Sequence, residues 1–170
     1  MKIFSVSFVV FIVLIFVVSC GGNDDSCTTI EGKMWSPISS TYVDWGTAID
    51  YCEDLKACGY SDWIMPNINE LRTLIQNCPE TETGGPCSIS YPDHLSSGDD
   101  WTPDCYHCES IIHNGGYYSK LGDDLTSLWS SSTNTWTLFD AWCVDFIDGA
   151  VKDNDKSYRR AKVRCVRNAE

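Results

Sequence analysis

Hydrophobic and polar positions alternate with three different periods along this chain, and each period predicts a different element. Residues 3–18 are apolar except for Ser5 and Ser7. From Trp45 onward, Ala48, Ile49, Cys52 and Leu55 recur at helical spacing, which predicts a helix over 44–56 with Cys52 on its buried stripe. Asp44 stands where its carboxylate can cap the first turn. Trp63, Ile64 and Met65 form a short strand-like run closed by Pro66. Asn67 and Glu70 then have the spacing of a capping box, so a second helix is expected from Ile68 to about Asn77, with Ile68, Leu71, Leu74 and Ile75 inward.

Strand patterns flank these helices. Lys33–Ser36 predicts a short first strand. Leu128–Ser132, Ala141–Phe146 and Ala150–Lys152 predict three more, the last two joined by an Asp148-Gly149 hairpin turn. Arg160–Arg167 predicts a final strand, with Ala161, Val163 and Cys165 on one face and Lys162, Arg164 and Val166 on the other. Between Cys78 and about Asp124 the pattern dissolves into Gly, Pro, Ser and Asp punctuation, and so long a loop in a small domain tends to be functional. One strand, two helices, a long loop and a run of antiparallel strands make an α+β fold: two helices packed on a small antiparallel sheet, with a long disulfide-rich loop.

The apolar start changes the picture of where the protein works. Lys2, the apolar run and Ser19 form a signal-peptide pattern, and Val17-Val18-Ser19-Cys20 resembles the bacterial lipobox, in which the chain is cut before an acylated cysteine. The expected organisation is a lipoprotein signal peptide over 1–19, a flexible tether over 20–32 lipidated at Cys20, and one domain over 33–168. A plain signal peptide or an uncleaved anchor is the alternative. Gly21 after the cysteine points to the outer membrane of a bacterial envelope, with the domain in the periplasm or outside the cell.

Charge excludes one class of partner. Cleavage removes Lys2 alone, leaving 11 Lys and Arg against 24 Asp and Glu, a net charge of −13. Such a chain has no general affinity for nucleic acid. Seven of the 11 basic residues (Lys152, Lys156, Arg159, Arg160, Lys162, Arg164 and Arg167) fall in the last 19 positions. They read either as a solvated pair of edge strands or as a local anion-binding patch.

Ten cysteines in an exported chain this short predict disulfides. With Cys20 committed to lipid, nine remain, so one thiol is free or pairs with another chain, which admits a homo-oligomer. Closeness in sequence favours Cys78–Cys87 and Cys105–Cys108 as local staples of the loop. Cys105-Tyr106-His107-Cys108 also has zinc half-site spacing, which Cys78, Cys87, His94 and His113 could complete; in an oxidising compartment disulfides are the stronger reading. No cofactor is implied. Acidic clusters at Asp99/Asp100/Asp104, Asp123/Asp124, Asp140/Asp145/Asp148 and Asp153/Asp155 lack the EF-hand arrangement, which leaves a loop calcium site as an alternative to plain solvated surface. Trp101 and Trp136 lie in loops among polar residues, where an aromatic ring can stack on a sugar. Together with Asp140 and Asp148 they are the candidate ligand-binding residues.

The residues in order carry a family resemblance. Trp45, Ala48, Tyr51 and Cys52, then Gly59-Tyr60-Ser61-Asp62-Trp63, Pro66 and Glu70-Leu71, resemble the opening of the Lcl C-terminal domain family. Leu128-Trp129-Ser130-Ser131-Ser132, Ala141-Trp142, Val144-Asp145-Phe146, Gly149, Val151 and Val163-Arg164-Cys165-Val166-Arg167 resemble its closing half, and the set covers nearly all of 33–167. The chain departs at Ile64-Met65-Pro66, where members carry Arg-Leu-Pro. It also lacks Glu-Pro-Asn, Gln-Pro-Asp and Trp-Asn-Asp, the triplets of calcium-dependent sugar binding in animal C-type lectins. The resemblance implies a C-type-lectin-like fold used as a surface adhesion or ligand-binding module for a glycan or a surface protein. The founding member is an adhesin for sulfated glycans, a preference that the acidity of this chain does not favour. The resemblance also places Cys52 and Cys165 where such domains join their chain ends by a disulfide, and both cysteines fall on inward faces. It suggests that Cys58 and Cys143, which stand where members have other residues, bond to each other, leaving Cys27 as the odd thiol. A structural protein-interaction domain of an envelope assembly is the runner-up function. An enzyme is the third: a sulfatase-modifying oxidase family shares the broader fold class, but no nucleophile or phosphate-loop motif is present.

Overall fold

The computed structural model describes residues 26–89, 105–106, 108, 117–122, 124–135 and 137–169. Helix α1 spans Trp45–Asp54. Asp44 caps it by accepting from the Thr47 amide at 2.9 Å, which satisfies one of the donors a helix start leaves orphaned. Its inner stripe buries Ala48 and Cys52, with Trp45 and Ile49 packed at the margin. Helix α2 spans Ile68–Arg72 behind a complete capping box: Asn67 Oδ1 accepts from the Glu70 amide, and Glu70 Oε2 accepts from the Asn67 amide, each at 3.0 Å. This helix stops short of the expected Asn77. Leu74 and Ile75 are buried as anticipated, but the Leu74 and Ile75 amides bond three residues back, to Leu71 and Arg72. The Gln76 amide then takes the Tyr118 carbonyl, so pairing with 117–120 draws the chain off the helix.

Among the described residues, six strands follow in chain order: β1 (Thr28–Ile30), β2 (Lys33–Trp35), β3 (Ser127–Thr133), β4 (Asp140–Asp145), β5 (Ala150–Asp155) and β6 (Val166–Asn168). They form two antiparallel three-stranded sheets, ordered β1-β2-β6 and β3-β4-β5. The architecture is α+β, with two sheets where one was expected. Strand β1 lies inside the segment assigned to the tether, so ordered structure begins before Lys33.

The final segment also differs from expectation. Instead of one continuous final strand over Arg160–Arg167, the chain threads between elements. Ala161 bridges Val43, Lys162 bridges Leu128, and Val166 bridges Ile64 before β6 pairs with β2. Ala161, Val163 and Cys165 are buried as expected, yet Arg164 (3% exposed) and Val166 (0%) on the other face are buried too. Protein lies on both sides of this segment. Arg164 is tolerated there because Asp124 lies 2.7 Å from its Nη2 and the Ser36 carbonyl 2.6 Å from its Nη1; a buried charge without such partners would be prohibitive. Arg167 is likewise buried, paired with Asp62 at 2.8 Å and stacked on the Tyr60 ring at 3.7 Å.

Four disulfides tie these parts together. Cys52 on α1 bonds Cys165, with Cα atoms 5.5 Å apart. The two local pairings are corrected: Cys78 bonds Cys108 and Cys87 bonds Cys105. The bridges nest, joining the two limbs of the loop rather than closing each short turn. The first limb has its own fastening. Buried Arg72 donates to the carbonyls of Thr81 (2.8 Å), Ile89 (2.5 Å) and Glu82 (2.9 Å). Cys108 is drawn instead to the β4–β5 turn, its amide bonding the Asp148 carbonyl at 3.3 Å. The pairing of Cys58 with Cys143 is also corrected. Cys58 bonds Cys27, and among the described residues Cys143 is the free thiol, fully buried in β4. Cys27 is therefore no odd thiol.

Candidate functional site

Asp140 opens β4 and accepts from the Thr137 hydroxyl. Asp148 sits in the turn that follows β4 and accepts from the Ala150 amide at 3.0 Å; burial pushes its carboxyl above the usual range. The register pairs Asp140 with Asp155 at one end of the β4–β5 ladder and Asp145 with Ala150 at the other. The two aspartates are thus at opposite ends of a strand and do not share a site. Trp101, Trp136, Cys20, the three histidines and Asp99, Asp100, Asp104 and Asp123 lie outside the described residues.

The potential metal donors resolve in the same way. Among the described residues, one set of Cys, Asp, Glu or His ligand atoms lies close enough to hold an ion, that of Cys78, Glu80 and Cys108. Both of its sulfurs are joined in a disulfide, so neither is the thiolate that zinc requires. Cys143 offers no reactive sulfur either. Burial pushes its thiol up to about 12, and it donates to the Lys152 carbonyl at 3.2 Å while accepting from Asn154 at 3.0 Å.

What the fold does assemble is an exposed tip at one end of sheet β3-β4-β5. The β3–β4 loop presents Leu138 and Phe139, 72% and 80% exposed, and the turn after β5 presents Tyr158, 82% exposed. Large apolar side chains this open stand out in a small domain. The two loops are fastened to each other. The Lys156 amide donates to the Phe139 carbonyl at 2.9 Å, and Lys156 Nζ donates to the Leu138 carbonyl at 2.9 Å and Thr133 Oγ1 at 3.0 Å. Asp155 caps the second loop by accepting from the Ser157 and Tyr158 amides at 2.8 and 2.9 Å; these bonds and the Ser157 hydroxyl hold its carboxyl below the usual range. Lys156 also lies 4.5 Å from the centre of the Trp45 ring, which anchors the tip to the start of α1.

The basic residues of the last 19 positions divide accordingly. Lys152, Arg164 and Arg167 form ion pairs with Asp145, Asp124 and Asp62. Lys162 lies 5.5 Å from the centre of the Tyr42 ring. Arg159 and Arg160 remain exposed beside Tyr158. Strands β5 and β6 both stand at sheet edges, as one reading expected, but the stretch is only partly solvated: Arg164 and Arg167 are buried in ion pairs, and Arg159 and Arg160 form a small basic tip. The neighbouring Leu138-Phe139 pair, apolar within a polar loop that also holds Trp136, was the sequence signal for this surface.

The tip is remote from the start of the domain. Trp45 begins α1 beneath Lys156, whereas Cys27 is stapled to Cys58 just beyond the helix end. A ten-residue helix separates the two ends by roughly 15 Å. The model of the Lcl C-terminal domain family matches residues 25–167, from just ahead of the Cys27 staple through β6 to Arg167. No curated protein matches the chain.

Proposed function

The chain belongs to the Lcl C-terminal domain family, and on that premise we propose that it is a lipid-anchored, extracytoplasmic ligand-binding or adhesion module that recognises a glycan or a protein at the cell surface. The observation that carries this reading is the tip: Leu138, Phe139 and Tyr158 are 72–82% exposed on loops fastened to the sheet. Pre-ordered apolar and aromatic side chains lose little entropy on contact, which is what a binding surface needs. Arg159 and Arg160 beside them supply charge for an anionic group on the partner. Within this proposal, the C-type-lectin-like fold implied by the family resemblance is the frame, and the lipobox-like Cys20 is the anchor. An anchor attached ahead of Cys27 would enter the domain at the end of α1 away from the tip. Among the described residues the free thiol, Cys143, is buried and protonated at neutral pH, which supports a binder over an enzyme with a cysteine nucleophile.

The test compares the natural chain with a Phe139→Ser, Tyr158→Ser double variant on a glycan array and a panel of surface proteins. The expected result is specific binding that falls at least about tenfold in the variant, with an unchanged thermal midpoint because neither side chain is in the core. Equal binding by both chains would overturn the assignment of the tip. Membrane partition of Cys20→Ser tests the anchor separately: a variant retained in the membrane would remove the lipoprotein reading.

A further inference from the structure

We propose that the Cys27–Cys58 disulfide is a thiol–disulfide exchange site for a dithiol reductant, and that opening it releases β1 from the domain. The other six bonded cysteines are at most 3% exposed, and a bond so enclosed gives an attacking thiolate no approach. Cys27 and Cys58 are both partly exposed. Cys58 also lines a surface hollow of about 440 Å³ with Lys56, Ala57, Gly59, Tyr60 and Ser61. That hollow is wide enough for a small dithiol, and the ammonium of Lys56 on its wall favours an incoming anion.

The hollow exists because of the local turn. Cys58 and Gly59 both have positive φ, 53° and 84°. They make the two-residue turn closed by Ala57 and Tyr60, whose amides and carbonyls exchange hydrogen bonds at 3.1 and 2.9 Å. The turn projects from the end of α1 and carries Cys58 outward. In the exchange, a thiolate of the dithiol attacks Cys58 Sγ. The Cys27–Cys58 bond breaks, and its electron pair leaves on Cys27 Sγ, which takes a proton. The second thiolate of the dithiol then attacks its own mixed-disulfide sulfur and expels Cys58 Sγ, which takes a proton in turn. Two electrons pass to the protein and the dithiol ends as a disulfide.

Beyond that bond, β1 is held by its pairing with β2, by Ile30 at the margin of the core and, just after the strand, by the Ala169 amide bond to the Gly32 carbonyl. It is a three-residue edge strand paired with β2 alone, and Thr28 and Thr29 are exposed. An exposed Glu31–Lys120 pair at 2.8 Å adds a contact of small worth. A strand this short does not persist by pairing alone. If the chain is lipid-anchored, which rests on the function proposed above, opening the bond transfers residues 27–32 to the tether and lengthens its reach by roughly 20 Å.

The experiment needs neither ligand nor lipid, so it fails or succeeds independently of that function. The full chain, purified oxidised, is exposed under native conditions to graded dithiothreitol, alkylated and mapped by mass spectrometry, with hydrogen exchange on the same samples. Cys27 and Cys58 are expected to be alkylated at a dithiol concentration at least about tenfold below that needed for the other six. Amides of Thr28–Ile30 should lose protection while those of α1 keep theirs. A Cys27→Ser, Cys58→Ser variant should show the same unprotected β1 with no reductant. Opening of a buried pair at the same concentration would overturn the exchange site. Protected β1 amides in either the opened chain or the double variant would overturn the release.

Discussion

Gly149 is where a single residue decides whether two distant parts of the chain can meet. It has φ of 74°, in the left-handed region that favours glycine. A Cβ there would lie 2.7 Å from Cys108 Sγ and 3.0 Å from Cys78 Sγ. Its carbonyl accepts from Thr81 Oγ1 at 2.6 Å. The β4–β5 turn is thus pressed directly against the disulfide that closes the long loop. Gly149→Ala should cost roughly 2–3 kcal/mol, because backbone strain and overpacking combine. Gly84→Ala is the control: its φ is 87°, but its Cβ would meet nothing within 4 Å, so only the backbone cost of about 1 kcal/mol applies. Urea midpoints of the two variants check the difference; equal losses would mean that the disulfide does not crowd the turn. Asp148-Gly149 was legible as a hairpin turn because turn chemistry is local. The crowding was not, since it depends on Cys78 and Cys108 arriving from about 70 and 40 positions away.

At the scale of elements, the caps were legible and the ends were not. Asp44, Asn67 and Glu70 act within three residues of themselves, so their spacing carries the whole signal. The Thr47 amide, the first of the bonds to Asp44, holds that carboxyl below its ordinary value of 3.8. A carboxyl lowered on folding contributes stability that is present above the ordinary value and is lost as pH falls through the lowered one. Asp44→Ala should therefore cost about 1 kcal/mol at neutral pH, and the gap to the natural chain should close as pH is taken below 3.8. Denaturant titrations at neutral and acid pH check this; a gap independent of pH would mean that the carboxylate does not cap α1. The end of α2 and the break in the last strand depend on partners far along the chain: the Tyr118 carbonyl for Gln76, and Asp124 for Arg164. Alternation put Arg164 on an outward face, and the sequence offered no sign that an aspartate 40 residues earlier would be buried beside it. The tip was half legible. Leu138 and Phe139 are neighbours in sequence, but Tyr158 joins them through the Lys156 bonds to Phe139, Leu138 and Thr133 and the antiparallel pairing of β4 with β5.

Across the whole molecule, the segment from Ala161 to Asn168 is the common seam. It bridges Val43 ahead of α1, Leu128 in β3 and Ile64 before α2, and ends as β6 beside β2. Both sheets and the approaches to both helices therefore depend on where this one stretch is held. Cys165 lies at its centre and bonds Cys52 on the inner stripe of α1, across a sequence separation of 113. In the chain-entropy model a loop of that length restrains the unfolded state by about 4–5 kcal/mol. That is a large part of the roughly 5–15 kcal/mol that stabilises a domain. The Cys87–Cys105 bond closes a separation of 18 and restrains it by about 3 kcal/mol. It fastens only the loop limbs, so losing it leaves the seam in place. Cys52→Ala with Cys165→Ala should accordingly lower the thermal midpoint well beyond Cys87→Ala with Cys105→Ala. It should also do so in one transition seen alike by near-ultraviolet and far-ultraviolet circular dichroism, because the seam serves both sheets at once. Equal midpoints for the two double variants, or separate transitions for the two signals, would show that the sheets are held independently of the seam.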